Sequence, residues 1–329
     1  MKSLHNWYGM ALAVFLAFGA LPAHAQTPVK LTLGHNAAAG TSRAEAAAKF
    51  VELVKAKSNG HITVEIAGEA KLGDNQAMMT AVRTGALDMS INSHGTLSTL
   101  VPELSALSLP FTFSSVAKVW EIMDGSVGQD LNKKIEAQDM IVLGWMENGS
   151  RHITNSKRPI VKPEDMKGLK MRTTADKAVM DMMAALGATS VPINFSDLHM
   201  ALKAGYVDGQ ENPLSNIKSA KLYEVQKFIS ITNHSFGLAP FIISKATWNK
   251  LSSDDKKTVQ AAAQEATAFQ RKLSEEQDQK LLAEFKNMAS VKVNVTDPAP
   301  FRAATKKVWD SWELKPFGAF VKKLRSATN

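Results

Sequence analysis

The apolar positions of the first third of the chain alternate between two periods. Val29, Leu31 and Leu33 recur every second residue, as one face of a strand does, and this run ends at His35-Asn36. The period then lengthens to that of a helix. Ser42 and Glu45 have the spacing of a capping box, and the helical pattern they open runs to about Ser58, where Asn59-Gly60 stops it. His61 to Ala67 reads as a second strand. A helix over Asp74 to Thr84 ends at Gly85, and Leu87, Met89 and Ile91 face one way on a third strand that ends in Asn92-Ser93-His94. Strand, helix and strand at this spacing predict parallel βαβ units, hence an α/β fold.

A second α/β series follows. Met140 to Trp145 is an apolar strand, and Glu147-Asn148-Gly149-Ser150-Arg151 after it reads as a glycine turn. Leu169 to Arg172 alternates inward and outward. Asp176 to Leu186 is helical with Gly187 as its stop, and Ser196 is a candidate cap for a helix to about Ala204. Tyr206 to Glu211 and Phe241 to Ser244 read as strands. From Ser253, a candidate N-cap, helical pattern continues to about Met288 with no Pro or Gly inside it. Such a helix is roughly 50 Å long, more than one lobe's diameter, so it is expected to pack on both lobes. A last helix is expected from Pro300 to Leu324.

In open α/β sheets ligands gather beyond the carboxyl ends of the strands. His35, Asn36, Ser93 and His94 stand at such ends, where each is equally a loop residue bonding its own backbone. Arg172 ends a strand, and Arg151 follows the glycine turn. A guanidinium matches a carboxylate with two parallel hydrogen bonds, so the two could clamp a monoanion. They could equally pair with nearby acids, Arg172 with Asp165 or Asp176 and Arg151 with Glu147. Asn212 precedes Pro213, which suits it as the cap of a helix, and a helix start beside a strand end also suits an anion.

Composition narrows the function. Lys2 is followed by an apolar run from Met10 to Leu21, too short to span a bilayer, and then by Ala23-His24-Ala25. This is the pattern of an export signal, residues 1–25, removed after Ala25 to leave a periplasmic product that starts at Gln26. With no cysteine the fold uses no disulfide, and no lipid can attach to one. The net charge of +8 favours anionic partners, but Lys and Arg are spread among the acids without interleaved aromatics, which speaks against nucleic acid. Lys322, Lys323 and Arg325 read as a solvated helix face. There is no G-x-S-x-G, H-E-x-x-H, P-loop or G-x-G-x-x-G after a strand, and His35, His94, His152, His199 and His234 show no metal-ligand spacing. A non-enzymatic binding protein without cofactor or metal is expected. An exported enzyme on the same scaffold, or a sensory binding protein feeding a receptor, are the other classes.

Several stretches carry a resemblance. "GLKMRTT", "INFSDLHMALKAGYVDGQENPL", "KLYEVQKFISITNHS", "LGDNQAMMTAVRTGALDMS", "LSLPFTF" and "ENGSRHITNSKRPI" are similar to the solute-binding proteins of tripartite ATP-independent periplasmic (TRAP) transporters, in order and over nearly the whole chain after the signal. The resemblance implies a two-lobed periplasmic-binding-protein-like fold with crossing strands and a long helix spanning both lobes. We expect lobe I to comprise 26–148 and 237–277, and lobe II 149–236 and 278–329, in a monomer that closes over one small-molecule carboxylate. It also implies delivery to sodium-driven membrane subunits. Arg172 corresponds to the family's carboxylate-binding arginine, Arg151 fits its second arginine, and Asn212 matches the asparagine bonding the same group. Phe195 matches the residue that packs on the ligand body. Asn36, Asn75 and Ser93 fall where sialic-acid-binding members hold the rest of the sugar, with His234 near by. Those members carry an acid where this chain has Ser93, which argues against sialic acid. The Asn, Ser and His of the remaining positions suit hydroxyl groups. A hexuronate or other sugar acid is therefore expected first, and a C4-dicarboxylate or a hydroxy or keto acid next.

Overall fold

A computed structural model describes residues 27–328 of the protein. The expected signal, with its cleavage after Ala25, lies outside the described residues. Among the described residues there are nine strands: β1 (Val29–His35), β2 (Ile62–Ala67), β3 (Met89–Ile91), β4 (Met140–Asn155), β5 (Lys170–Thr173), β6 (Thr189–Pro192), β7 (Gly209–Asn212), β8 (Phe228–Ser244) and β9 (Lys292–Val295). The helices are α1 (Ser42–Lys57), α2 (Asn75–Thr84), α3 (His94–Leu97), α4 (Val116–Met123), α5 (Ser126–Glu136), α6 (Lys177–Ala185), α7 (Leu198–Lys203), α8 (Leu214–Ser219), α9 (Lys245–Lys250), α10 (Ser253–Asn287), α11 (Pro298–Trp312) and α12 (Gly318–Thr328).

Everything hangs on β4 and β8. They run antiparallel over nearly their full lengths, with Met140 opposite Ser244 at one end and Asn155 opposite Phe228 at the other. At the first end β3 adds to β8, and β1 and β2 continue the sheet in parallel. At the other end β7 adds to β4, with β5 and β6 parallel beyond it, while β9 adds to β8. The result is two α/β half-sheets joined by two crossing strands, and the loops at their carboxyl ends face a common cleft.

The sequence pattern underestimates both crossing strands. The polar run Glu147 to Arg151 is not a turn but the middle of β4. Its register against β8 shifts between Val142 and Gly144, Glu147 and Gly149, and Arg151 and Ile153, and each such bulge sharpens the local twist. Gly149 sits at φ +116°, where a side chain would be strained and its Cβ would lie 3.0 Å from Pro213 Cβ. β8 likewise begins at Phe228 rather than Phe241.

α10 serves both halves. Its small Ala262, Ala263 and Ala266 pack with Phe50 of α1 and Phe241 of β8, whose rings meet edge to face at 4.9 Å. Further along, Phe285 enters the other core with Leu198, Ile217 and Ile229. Its cap is Ser252, which accepts from Asp255 N at 3.1 Å, one residue before the expected Ser253. Ser42 also departs from expectation: it is the first helical residue, not a cap, and its hydroxyl accepts from Gln270 Nε2 at 3.0 Å. The last helix divides before Gly318, and Trp312 of α11 and Leu324 of α12 share a core with Val119 and Ile122 of α4. Among the described residues no helix is long and apolar enough to cross a membrane.

Gln270 ties α10 to the crossing strand, accepting from Glu147 N at 2.7 Å and donating to Glu147 O at 2.9 Å. The Glu147 side chain is buried there. Burial first, then the charges of Asp278 and Glu275, push its pKa up to about 8 from 4.5. Between about 4.5 and about 8 the folded state therefore holds a proton that the unfolded chain has released, so this group lowers stability as pH rises through that window and no further above it. Glu147→Gln should raise the melting temperature at pH 8 and flatten its decline from pH 5. Parallel melting curves for the two proteins across that range would show that Glu147 is ionised in the fold.

Candidate functional site

A cleft of about 700 Å3 opens where the two half-sheets face each other, a size suited to a small organic ligand. From the side of β1 to β3 it is lined by Asn36, Glu69, Asn75 and Thr96. From the side of β5 to β7 it is lined by Arg172, Thr174, Asn194, Phe195 and Tyr206.

Arg172 is the third residue of β5, a strand buried nearly throughout, and its side chain is only 2% exposed. Its Nε donates to Ile193 O at 2.8 Å, and its two Nη groups make no hydrogen bond among the described residues. Neither Asp165 nor Asp176 pairs with it. Asp165 caps its own short 3-10 turn, and Asp176 accepts from Ser105 and Ser108. No carboxylate of the described residues lies within 4 Å of Arg172. Burial, offset by Glu211 and reinforced by Arg151, lowers its pKa to about 10, so it stays a cation at neutral pH. A buried guanidinium with idle donors facing a cleft is an anion site in want of its anion.

Arg151 is placed differently. Its Nε and Nη2 bind both oxygens of Glu211, and Nη2 also donates to Glu211 O at 2.8 Å. Its acid is therefore Glu211, not Glu147. Burial alone would raise the Glu211 pKa, but Arg151 and the neighbouring His234 hold it down to about 2. His234 lies behind this pair: Nδ1 is 2.7 Å from Thr232 Oγ1 and Nε2 is 3.4 Å from Glu211 Oε2.

Asn212 ends β7 and is not a helix cap, because α8 is capped at Pro213. Its Oδ1 accepts from Asn216 Nδ2 at 3.0 Å, and its Nδ2 donates to Gln210. One step further, Arg43 Nη2 stands 3.5 Å from Asn216 Oδ1, and Arg43 Nη1 donates to Asn36 Oδ1 at 3.2 Å. Asn36 is on the cleft wall. A buried polar chain thus runs from the cleft through Arg43, Asn216 and Asn212 to the Arg151–Glu211 pair.

Of the ten residues expected from sequence, Arg172, Phe195, Asn36 and Asn75 line the cleft. Arg151, Asn212 and His234 form the layer behind it. Ser93 is half-buried just before α3 and does not line the cleft. His94 is spent inside the fold, with Nδ1 3.1 Å from Leu238 N and Nε2 2.9 Å from Ser108 Oγ, and burial lowers its pKa to about 4. His35 is buried against Gly68, and burial followed by the Arg43 charge lowers its pKa to about 4 too. Both imidazoles are neutral and buried, and neither lines the cleft. Sequence reasoning passed over Arg43, Asn194, Thr174 and Tyr206. Tyr206, expected to open a strand, stands ahead of β7, which begins only at Gly209. Its 57% exposure, with Lys170 Nζ 3.9 Å from its ring centroid, marks it as a rim residue. Among the described residues no cluster of three His, Asp or Glu could hold a metal.

Residues 33–315 match the family described as bacterial extracellular solute-binding protein, family 7. An uncharacterized protein of Sinorhizobium fredii, y4mM, is 48% identical over 88% of this chain, and the chain spans 53% of that protein's length. The 2,3-diketo-L-gulonate-binding periplasmic protein YiaO of Escherichia coli is 34% identical, over 90% of this chain and 89% of its own. Among solved structures, the sugar acid binding protein DctPAm of Advenella mimigardefordensis, in complex with galactonate, superposes with a TM-score of 0.89. It is 31% identical and the match covers 92% of this chain and 98% of that one.

Proposed function

The chain belongs to bacterial extracellular solute-binding protein family 7, as a TRAP-type solute-binding protein, and from that premise we propose that its cleft takes up a six-carbon sugar acid, a hexuronate first among them. The carboxylate seats on Arg172. The observation that carries this reading is the buried guanidinium of Arg172, which lines the cleft without an acidic partner. Arg151 and Asn212, one layer back, hold the local field and geometry. Phe195 packs on the carbon skeleton, and Asn36 and Asn75 bond hydroxyl groups. Support for the ligand class comes from the relatives, since 2,3-diketo-L-gulonate and galactonate are both six-carbon sugar acids.

In this reading lobe I is built on 27–148 with 237–277 and lobe II on 149–236 with 278–307, while the chain from Val308 through Leu324, expected in lobe II, packs on the lobe I core around Val119 and Ile122. The protein acts as an exported, periplasmic monomer that closes on its ligand and hands it to sodium-driven TRAP membrane subunits. Calorimetric titration with glucuronate, galacturonate, galactonate, succinate and malate tests the ligand class. One of the three sugar acids should bind at one to one and reduce the radius of gyration in small-angle scattering, as hinge closure requires. Tight binding of succinate or malate alone would replace the sugar acid with a C4-dicarboxylate. Binding with an unchanged scattering curve would remove closure.

A further inference from the structure

Arg43 is the second buried guanidinium without an acid. It belongs to the first turn of α1, is 6% exposed, and no carboxylate of the described residues lies within 4 Å of it. Among the described residues its side-chain bonds run to two neutral amides, Asn36 Oδ1 at 3.2 Å and Asn216 Oδ1 at 3.5 Å. A cation buried on such weak support is costly to the fold unless something supplies negative charge. The Arg151 charge is already met by Glu211. Arg43 and Arg172 are therefore two buried cations with no carboxylate in contact among the described residues. A ligand with one carboxylate neutralises only one.

Arg43 also orients the cleft wall. An arginine only donates, so the oxygen of the Asn36 amide must face it. That leaves the Asn36 Nδ2 group, a donor, for the cleft. The part of the ligand that meets Asn36 is then an acceptor. The acids on the cleft rim, Glu69, Asp74 and Asp197, form no ion pair with Arg43: Glu69 and Asp197 are exposed, and Asp74 Oδ1 accepts from Ala77 N at 2.8 Å.

Building on the sugar-acid reading above, we propose that Arg43, acting through Asn36, is a specificity-determining residue that selects a sugar diacid, with one carboxylate on Arg172 and the second at the Asn36 wall. Galactarate and galactonate are the matched probes, because they differ only in a carboxylate against a hydroxymethyl group at one end. The wild-type protein should bind galactarate at least about tenfold more tightly in calorimetric titration, the effect of one further paired charge in a partly desolvated site. Arg43→Gln should bring the two affinities to within about twofold by weakening galactarate alone, and Arg43→Lys should keep part of the preference. Equal losses for both acids in Arg43→Gln would make Arg43 a structural link between Asn36 and Asn216 and overturn the proposal. The wild-type comparison needs no variant: tighter binding of galactonate than galactarate would overturn the proposal and leave the sugar-acid reading standing. Binding of neither acid, nor of either hexuronate, would overturn both.

Discussion

Arg172→Ala is expected to lose roughly 2–5 kcal/mol of ligand affinity, about 30-fold to several thousand-fold, while remaining folded. The expectation follows from what surrounds the guanidinium. It is buried, its Nη groups have no acceptor among the described residues, and the ligand's carboxylate would be its only close acid. Once the lobes close, that carboxylate is out of water, and removing its partner strands it. Stability should change little or rise, because the variant removes a charge that the empty protein leaves uncompensated. Arg172→Lys keeps the charge and loses the planar two-pronged donor, so it should still be clearly impaired. Calorimetric titration measures the loss, with circular dichroism to confirm the fold. Binding by Arg172→Ala within about threefold of wild type would make Arg172 a structural arginine and place the carboxylate elsewhere.

Glu211→Ala should act in the opposite sense, on the fold before the ligand. Glu211 is fully buried and binds Arg151 through both oxygens. Without it, Arg151 becomes a third buried cation facing Arg43 and Arg172, both of which already feel its charge. Breaking such a pair from one side costs about 3–5 kcal/mol, to be read as a lower urea midpoint at pH 7. Replacing both partners by apolar residues, as in Arg151→Met with Glu211→Leu, should recover much of that loss, because it removes both desolvated charges together. The folded Glu211 pKa, about 2, lies below its unfolded value of 4.5. Its contribution is therefore complete above about 4.5 and is lost as pH falls through about 2. The deficit of Glu211→Ala against wild type should shrink over that acid range. A deficit under about 1 kcal/mol at neutral pH would show that the pair holds nothing together.

The contrast between these two arginines was not legible in the sequence. Both stand in β-structure beside polar residues, and spacing offered each a clamp or a local acid. The acid that takes Arg151 is 60 residues away on a neighbouring strand, and only the pairing of β4 with β7 brings it there. Helices and short strands were legible because their apolar periods are local: α2 begins and ends where Asp74 and Gly85 said it would. β4 was not, because its middle is polar for a non-local reason. A strand that crosses between lobes is covered on both faces by other polar groups, so burial there leaves no apolar alternation to read. Arg43 was missed for a similar cause. Its neighbours Ala46 and Ala47 mark an ordinary packed helix, and nothing near it in sequence shows that its head is buried between two asparagines from different lobes.

The crossing strands also govern the order in which the molecule can come into being. β3 pairs with residues of β8 that follow it by about 150 positions, and β4 waits for the same strand along most of its length. For a chain emerging from its N-terminus, the half-sheet of β1 to β3 cannot join β4 until Phe241–Ser244 is free to come between them, and by then most of the second lobe is also out. Neither lobe exists as an uninterrupted segment that could condense first and shelter the other. The first βαβ unit must wait with a bare strand edge, and the arrival of β8 joins it to the rest of the sheet.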